Sequence, residues 1–327
     1  MAVSGDLPAA LKQAIERQLE GVSRSELGKA SARLSEQYRA GGGSAAALSG
    51  HADILSYLAA RMPATYAANA AALAEVRRRA PAFLPDSLLD IGAGSGAASW
   101  AAFDAWPAIA EVTMLDRHQA FLDIVGSLVA GSGIPALEAS RRLVLDMRNV
   151  GGSGRSAELV IASYALIELP VDAVAAAAAD FWRTTTGILI LVEPGTPAGF
   201  ARIRAARAAL LDAGAAIVAP CPHRNACPIV KPDWCHFSER LPRSRDHRLA
   251  KSAMLGFEDE KYSYAAFARP EVALDLPSAR VLSAPRMSKA DIRLKLCTSA
   301  GLVEETVPRR DKAAYAEARR LDWGDAL

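Results

Sequence analysis

Within the seven residues Asp90-Ile-Gly92-Ala-Gly94-Ser-Gly96 the chain places one carboxylate and three alternating glycines. The apolar run 87–91 before them has the length of a strand, and the Ala-rich stretch 97–109 after them can form a helix. Strand, tight turn and helix N-terminus together hold nucleotide-like ligands. Glycine lets the backbone turn sharply and approach the ligand, while the helix end offers unpaired N–H groups. Gly92, Gly94 and Ala97 also satisfy the loose dinucleotide pattern, so glycines alone do not name the ligand. Asp90 tips the reading, because a carboxylate at a strand tip repels a pyrophosphate and suits a ligand ammonium. Asp116 closes the next expected strand, twenty residues after Gly96, where a carboxylate is placed to bind two ribose hydroxyls.

A second set of chemical residues lies further along. Cys221, Cys227 and Cys235 are separated by five and seven residues, and Cys297, the fourth and last cysteine, follows at a distance on an expected strand. Three cysteines close together in a reduced compartment argue for metal rather than disulfides. The gaps fit no zinc-finger or ribbon spacing. Four thiolates hold either zinc or a four-iron cluster, and His223 and His236 are possible substitute ligands. The segment between the cysteines is rich in proline and polar residues, so metal ligation is the expected agent of its order.

Residues 7–80 read as helical. From Ser87 strands and helices alternate, the pattern of a parallel sheet covered on both faces. Strands are expected at 87–91, 111–116, 142–146, 159–163 and 187–193, and then at 262–268, 280–283, 292–297 and 303–307. Ser299-Ala-Gly301 is the expected hairpin turn, and the charged tail from Arg309 is helix-capable. The expected divisions are an N-terminal helical region (1–80), a cofactor-binding sheet (81–218), a cysteine-rich segment (219–261) and C-terminal strands with the tail (262–327). Length, at 327 residues, is ample for a full core. Net charge is +2, too small to indicate a partner, so local charge must speak. No run approaches a membrane span and the first residues show no targeting leader, which gives the expectation of a cytoplasmic, monomeric protein with no membrane contact.

The Asp90–Gly96 turn resembles motif I of class I methyltransferases, whose ligand is S-adenosylmethionine. On that resemblance the fold class is α/β with a Rossmann-like doubly wound sheet, and the cofactor-binding set is Asp90, Gly92, Ala93, Gly94, Gly96, Asp116, Arg117, Asp146, Met147 and Ser163. Asp146-Met147 falls where such enzymes contact the adenine. Glu193-Pro-Gly-Thr-Pro197, the three-cysteine segment, Asp233-Trp-Cys-His-Phe237 and Gly256-Phe-Glu-Asp-Glu-Lys-Tyr-Ser-Tyr264 are similar to the methyltransferase-like assembly factors of the small ribosomal subunit, found in bacteria and mitochondria. That resemblance implies a four-iron four-sulfur cluster on Cys221, Cys227, Cys235 and Cys297, with zinc as the alternative, and binding to small-subunit rRNA in ribosome biogenesis and translation. The missing leader suits a bacterial member.

Arg240, Arg243, Arg245, Arg248 and Lys251 fall within twelve residues interrupted by one acid, a candidate phosphate-binding patch. Trp234, His236 and Phe237 beside it are candidates for stacking on bases. After the fourth strand the chain reads Ser163-Tyr-Ala-Leu166 rather than the Asn/Asp-Pro-Pro-aromatic motif of amino-group methyltransferases. Tyr164 and Glu168 could line the pocket, but no catalytic residue is assigned. Two readings follow: an active rRNA methyltransferase, or a catalytically silent assembly factor that binds cofactor and rRNA. A small-molecule methyltransferase is disfavoured by the cysteines and the basic patch.

Overall fold

The computed structural model describes residues 6–39, 50–243, 248 and 255–327. Four helices come first: α1 (Ala9–Leu19), α2 (Arg24–Arg39), α3 (His51–Ala60) and α4 (Met62–Arg79). The alternating part follows as β1 (Ser87–Ile91), α5 (Ala97–Ala105), β2 (Glu111–Asp116), α6 (Gln119–Val129), α7 (Pro135–Glu138), β3 (Arg141–Val144), β4 (Ala157–Ser163), α8 (Val174–Thr184), β5 (Thr185–Pro194), α9 (Pro197–Asp212) and β6 (Ala216–Ala219). The remainder is β-rich: β7 (Phe237–Pro242), β8 (Phe257–Ala268), β9 (Ala279–Val281), β10 (Arg286–Met287), β11 (Asp291–Thr298) and β12 (Gly301–Pro308), closed by α10 (Lys312–Ala318).

The main sheet has the order β3-β2-β1-β4-β5-β8-β6. Its first five strands are parallel, and β8 runs antiparallel between β5 and β6. That order, with its reversal between β1 and β4 and one antiparallel strand near the far edge, is the class I methyltransferase fold. β1 and β5 are almost wholly buried apolar runs, as strands covered on both faces must be. One face packs on the N-terminal helices with α5 and α6, through residues such as Leu58, Tyr66, Leu73 and Trp100. The other packs on α8 and α9 through Phe181, Trp182 and Leu210. The helices of residues 7–80 therefore share their core with the sheet.

The expected division at 261 falls inside β8, because the chain returns to the main sheet after the cysteines. β7 extends β8 on the same sheet. β9 to β12 form a separate small sheet, with β11 and β12 joined by the hairpin turn anticipated at Ser299–Gly301. At the reversal point the carboxyl ends of β1 and β4 diverge, and a crevice for a ligand opens there.

Candidate functional site

Gly92, Gly94 and Gly96 all have positive φ, at 70°, 53° and 81°, which only glycine adopts freely. At Gly92 a Cβ would lie 3.0 Å from that of Ala165, so the turn is also tightly seated. Gly94 N–H donates to Asp116 Oδ2 at 2.9 Å and His118 N–H to Oδ1 at 2.8 Å. The second strand's acid thus fixes the glycine turn of the first. Ser99 Oγ donates to Asp90 Oδ2 at 2.7 Å, while Asp90 Oδ1 is buried with no partner. Burial pushes the Asp90 carboxyl up to about 6, with Asp116 adding to the rise and the bonds from Ser99 opposing it. Burial raises Asp116 as well, against its two backbone bonds.

These residues floor a cleft of about 640 Å³, of a size that takes a nucleoside-containing ligand. Of the sequence-derived set, Asp90, Gly92, Ala93, Gly94, Asp116, Arg117, Met147 and Ser163 line it. Gly96 and Asp146 do not. Gly96 is the left-handed cap of α5. Asp146 caps the turn 147–152 by accepting from Arg148 N–H at 2.9 Å, and it pairs with the Arg148 guanidinium, which holds its carboxyl down at about 2. An acid at a strand end served here as a helix cap, and Met147 meets the cleft instead.

The other wall was not anticipated. It comes from Tyr57 on α3, from Arg61, and from Thr65 and Asn69 on α4, with Thr196 and Arg202 closing the far side. The available signal was the polar pair Thr65 and Asn69, one turn apart on an Ala-rich helix. Asn69 Nδ2 donates to Thr65 O and to Ser163 Oγ, both at 2.8 Å. Tyr164, the one described non-glycine residue with positive φ (55°), lies beside Ser163. Its hydroxyl donates to Glu260 Oε1 at 2.8 Å, and Arg61 reaches the same oxygen at 3.3 Å. Glu168 pairs with Arg117 at 3.2 Å.

On the other side of α9, Cys221, Cys227, Cys235 and Cys297 line one small pocket with a free space of about 30 Å³. None is in a disulfide. Burial pushes the thiols of Cys221 and Cys235 up and takes Cys297 up to about 12, and charge on the neighbouring thiols adds to all three shifts. As placed, no three His, Cys, Asp or Glu side chains among the described residues have the geometry to share a metal ion. His223 Nε2 lies 3.4 Å from Cys297 Sγ. His236 is elsewhere, stacked on Trp234 at 4.9 Å and edge-on to Trp323.

What orders this segment in the structure is a set of side chains bonded to its backbone. Arg207 of α9 donates to the carbonyls of His223 and Asn225, Arg204 to that of Ile229, and Arg280 of β9 to that of Pro220. Trp234 Nε1 donates to Gly195 O, and Ser263 Oγ to Cys235 O. Arg280 is itself buried and ion-paired with Glu75 of α4 at 2.5 Å. The donor chemistry suits an anionic metal–thiolate centre, since four thiols face the two buried cations Arg207 and Arg280.

The basic patch is less free than its sequence indicated. Arg240 makes a two-pronged bond to Asp259 at 2.7 and 2.9 Å, and Arg243 meets Glu258 at 3.3 Å. β7 and β8 are antiparallel, so acids distant in sequence stand opposite these arginines. Arg248 is exposed, whereas Arg245 and Lys251 lie outside the described residues. Phe237 is core rather than a stacking surface, and the rings of Trp234 and His236 stack on each other.

A family model described as mitochondrial small ribosomal subunit Rsm22 matches residues 51–327. The human ribosome assembly protein METTL17, mitochondrial, is 31% identical over 296 residues, covering 84% of this chain and 62% of that protein. The Schizosaccharomyces pombe Rsm22-cox11 tandem protein 2, mitochondrial, is 26% identical over 321 residues, covering 83% of this chain and 42% of that protein. The chain thus spans about three fifths of the human relative's length and about two fifths of the yeast one's. Magnesium protoporphyrin IX methyltransferase from Synechocystis PCC 6803, solved with bound S-adenosylmethionine, is 15% identical at a TM-score of 0.40, over 63% of this chain and 80% of that one. The expectation of a cytoplasmic protein is corrected by these matches, since the family and both relatives are described as mitochondrial.

Proposed function

The chain belongs to the Rsm22 family, and from that premise we propose that it is a methyltransferase-like assembly factor of the small ribosomal subunit that binds S-adenosylmethionine. The observation that carries the cofactor reading is the cleft floor. A glycine turn is held by Asp116, and beside it Asp90 keeps one buried oxygen without a donor. S-adenosylmethionine supplies an ammonium for Asp90 and ribose hydroxyls for Asp116. Bound there, it brings an electrophilic methyl group. Tyr164 and Arg61 line the cleft and are both committed to Glu260. We therefore assign them a positioning role and route no proton through them.

Cys221, Cys227, Cys235 and Cys297 would hold a metal centre by losing the thiol protons that burial now retains. The four-thiolate set suits a four-iron four-sulfur cluster. The small free space among the thiols favours zinc as the second reading. Small-subunit rRNA is the proposed partner, reached in part through the exposed Arg248.

Anaerobically purified protein tests this. Titration calorimetry should give roughly micromolar affinity for S-adenosylmethionine, about 8 kcal/mol, and elemental analysis should give about four irons and four sulfides per chain. One zinc with no iron would replace the cluster and leave the cofactor reading standing. Tight binding of NAD without S-adenosylmethionine would overturn it. Mass mapping of small-subunit rRNA with and without the protein separates a transferring enzyme from a silent binder.

A further inference from the structure

We propose that Asn69 of α4 is a cofactor-binding residue, which with Asp90 receives the ammonium group of the S-adenosylmethionine amino-acid arm. The inference rests on the cofactor reading above and goes beyond it, because Asn69 belongs to none of the sequence motifs.

The orientation of the Asn69 amide is fixed. Its nitrogen donates to the Thr65 carbonyl and to Ser163 Oγ, each at 2.8 Å. A backbone carbonyl only accepts, so the reversed amide would set oxygen against oxygen. Oδ1 therefore faces away from both partners. It is buried and no donor reaches it. Asn69 is 1% exposed, yet it lines the cleft.

Asp90 Oδ1 is in the same condition and Asp90 lines the same cleft; Ser95 Oγ, buried there without a partner too, can donate as well as accept, so Asn69 and Asp90 carry the two oxygens that only accept. Sheet register brings the two together. Asp90 pairs with Ile161, and Ser163 stands two residues further along β4, so Ser163 shares Ile161's face. Asn69 is bonded to Ser163, on the β4 side of Asp90. Asp116, assigned to the ribose, stands at the tip of β2 on the opposite side of β1. A ligand laid across the strand ends with its ribose at β2 thus carries its other arm toward β4 and Asn69.

Buried acceptors without donors are uncommon in folded proteins, and two at one cleft floor call for a ligand rich in donors. The amino-acid arm offers a carboxylate, which only accepts, and an ammonium with three N–H groups. The sulfonium has no N–H or O–H. The ammonium alone matches both oxygens, donating directly or through one bound water. The raised pKa of Asp90 agrees, since a buried carboxylate lacking a counter-charge is what a ligand cation relieves.

The test is calorimetric titration of wild type and Asn69→Ala with S-adenosylmethionine, S-adenosylhomocysteine and 5′-methylthioadenosine. The last keeps the adenosine and sulfur and lacks the amino-acid arm. Loss of one hydrogen bond to a charged group predicts about 10–150-fold weaker binding of the first two ligands. Affinity for 5′-methylthioadenosine should be unchanged, which also certifies the fold. Asn69→Leu, close in size, serves if the alanine variant does not fold. Equal weakening for all three ligands, no weakening, or weakening confined to S-adenosylmethionine overturns the role. If wild type binds 5′-methylthioadenosine and neither longer ligand, the ammonium site itself is refuted. Absence of all binding by wild type sinks the cofactor reading beneath it.

Discussion

The cofactor cleft and the cysteine pocket lie on either side of α9 and are built on opposite plans. The cleft floor is made by local backbone. One strand, one glycine turn and one helix cap follow each other directly, and Asp116, itself held by the His118 N–H, locks the turn through the Gly94 N–H. The cysteine pocket has no such scaffold. Its walls come from α9, the cysteine segment itself, β8, β9 and β11, and its backbone is bound by arginine, tryptophan and serine side chains. A site made of local backbone is rigid before it meets a ligand. A site bound by long side chains depends on the charges that hold those side chains in place, and there the largest effects of mutation are expected.

The sharpest way to break the contrast is Glu75→Gln. Glu75 meets Arg280 at 2.5 Å, Arg78 at 2.8 Å and Arg79 at 3.1 Å. Burial opposes its charge, and Arg280 with Arg78 outweighs burial, holding the carboxyl below its usual range. Neutralising it leaves Arg280, 2% exposed, with a buried charge and no counter-ion. The expected cost is about 3–5 kcal/mol, read from chemical denaturation. Ser99→Ala, at the cleft, removes one bond to a buried carboxylate and should cost about 1.5–3 kcal/mol. If Glu75→Gln costs no more than Ser99→Ala, the difference in plan has no energetic content.

A second prediction concerns pH at the cleft. The Asp90 carboxyl is raised by burial from 3.8 to about 6. Its raised value means that, in the empty protein, stability contributed by this group falls as pH rises from about 4 to about 6, where the folded state alone holds the proton. A ligand ammonium favours the ionised form, so binding moves the other way. Affinity for S-adenosylmethionine should rise up to about tenfold per unit as pH climbs from 5 to 6, then level off. Asp90→Asn should flatten that curve. A pH-independent affinity in wild type would separate Asp90 from the ligand.

The two sites also differ in how far they could be read from the chain. The floor of the cleft was legible because strand, turn and cap are contiguous, so sequence spacing is spatial spacing. Asp146 misled because a carboxylate that caps a turn and one that binds a nucleoside look alike at a strand end. The second wall was hidden for another reason: Thr65 and Asn69 reach the cleft by helix packing, and a polar pair one turn apart on an Ala-rich helix does not say which surface it faces. At the cysteines, the grouping of Cys297 with the other three came from the family resemblance and not from spacing, and β11 brings it into their pocket beside Arg280. The arginines of α9 give it the composition of a basic, solvent-facing helix. Arg202, Arg204 and Arg207 instead turn inward and donate to carbonyls, something charge counting cannot reveal.

The smallest expected effect concerns RNA, where the structure reduces what the basic run promised. Three phosphate contacts from Arg243, Arg245 and Arg248 would lower the slope of log affinity against log salt by about 2–3. Arg240 and Arg243, however, already hold Asp259 and Glu258 across the β7–β8 pair. An arginine paired in the free protein must surrender that carboxylate to reach a phosphate, so its net release of counter-ions is small. Arg240→Ala combined with Arg243→Ala should therefore change the slope for small-subunit rRNA by less than about 1. Asp259→Asn should act in the opposite direction, raising both affinity and slope, because it frees Arg240 without removing it. The exposed Arg240–Asp259 pair is worth about 0–1 kcal/mol, so the fold should tolerate Arg240→Ala and Asp259→Asn, while Arg243→Ala, at a partly buried pair, should cost more. A loss of 2 or more in slope from the double arginine variant would show that β7 opens its ion pairs on binding, and would move the RNA surface onto the main sheet's edge.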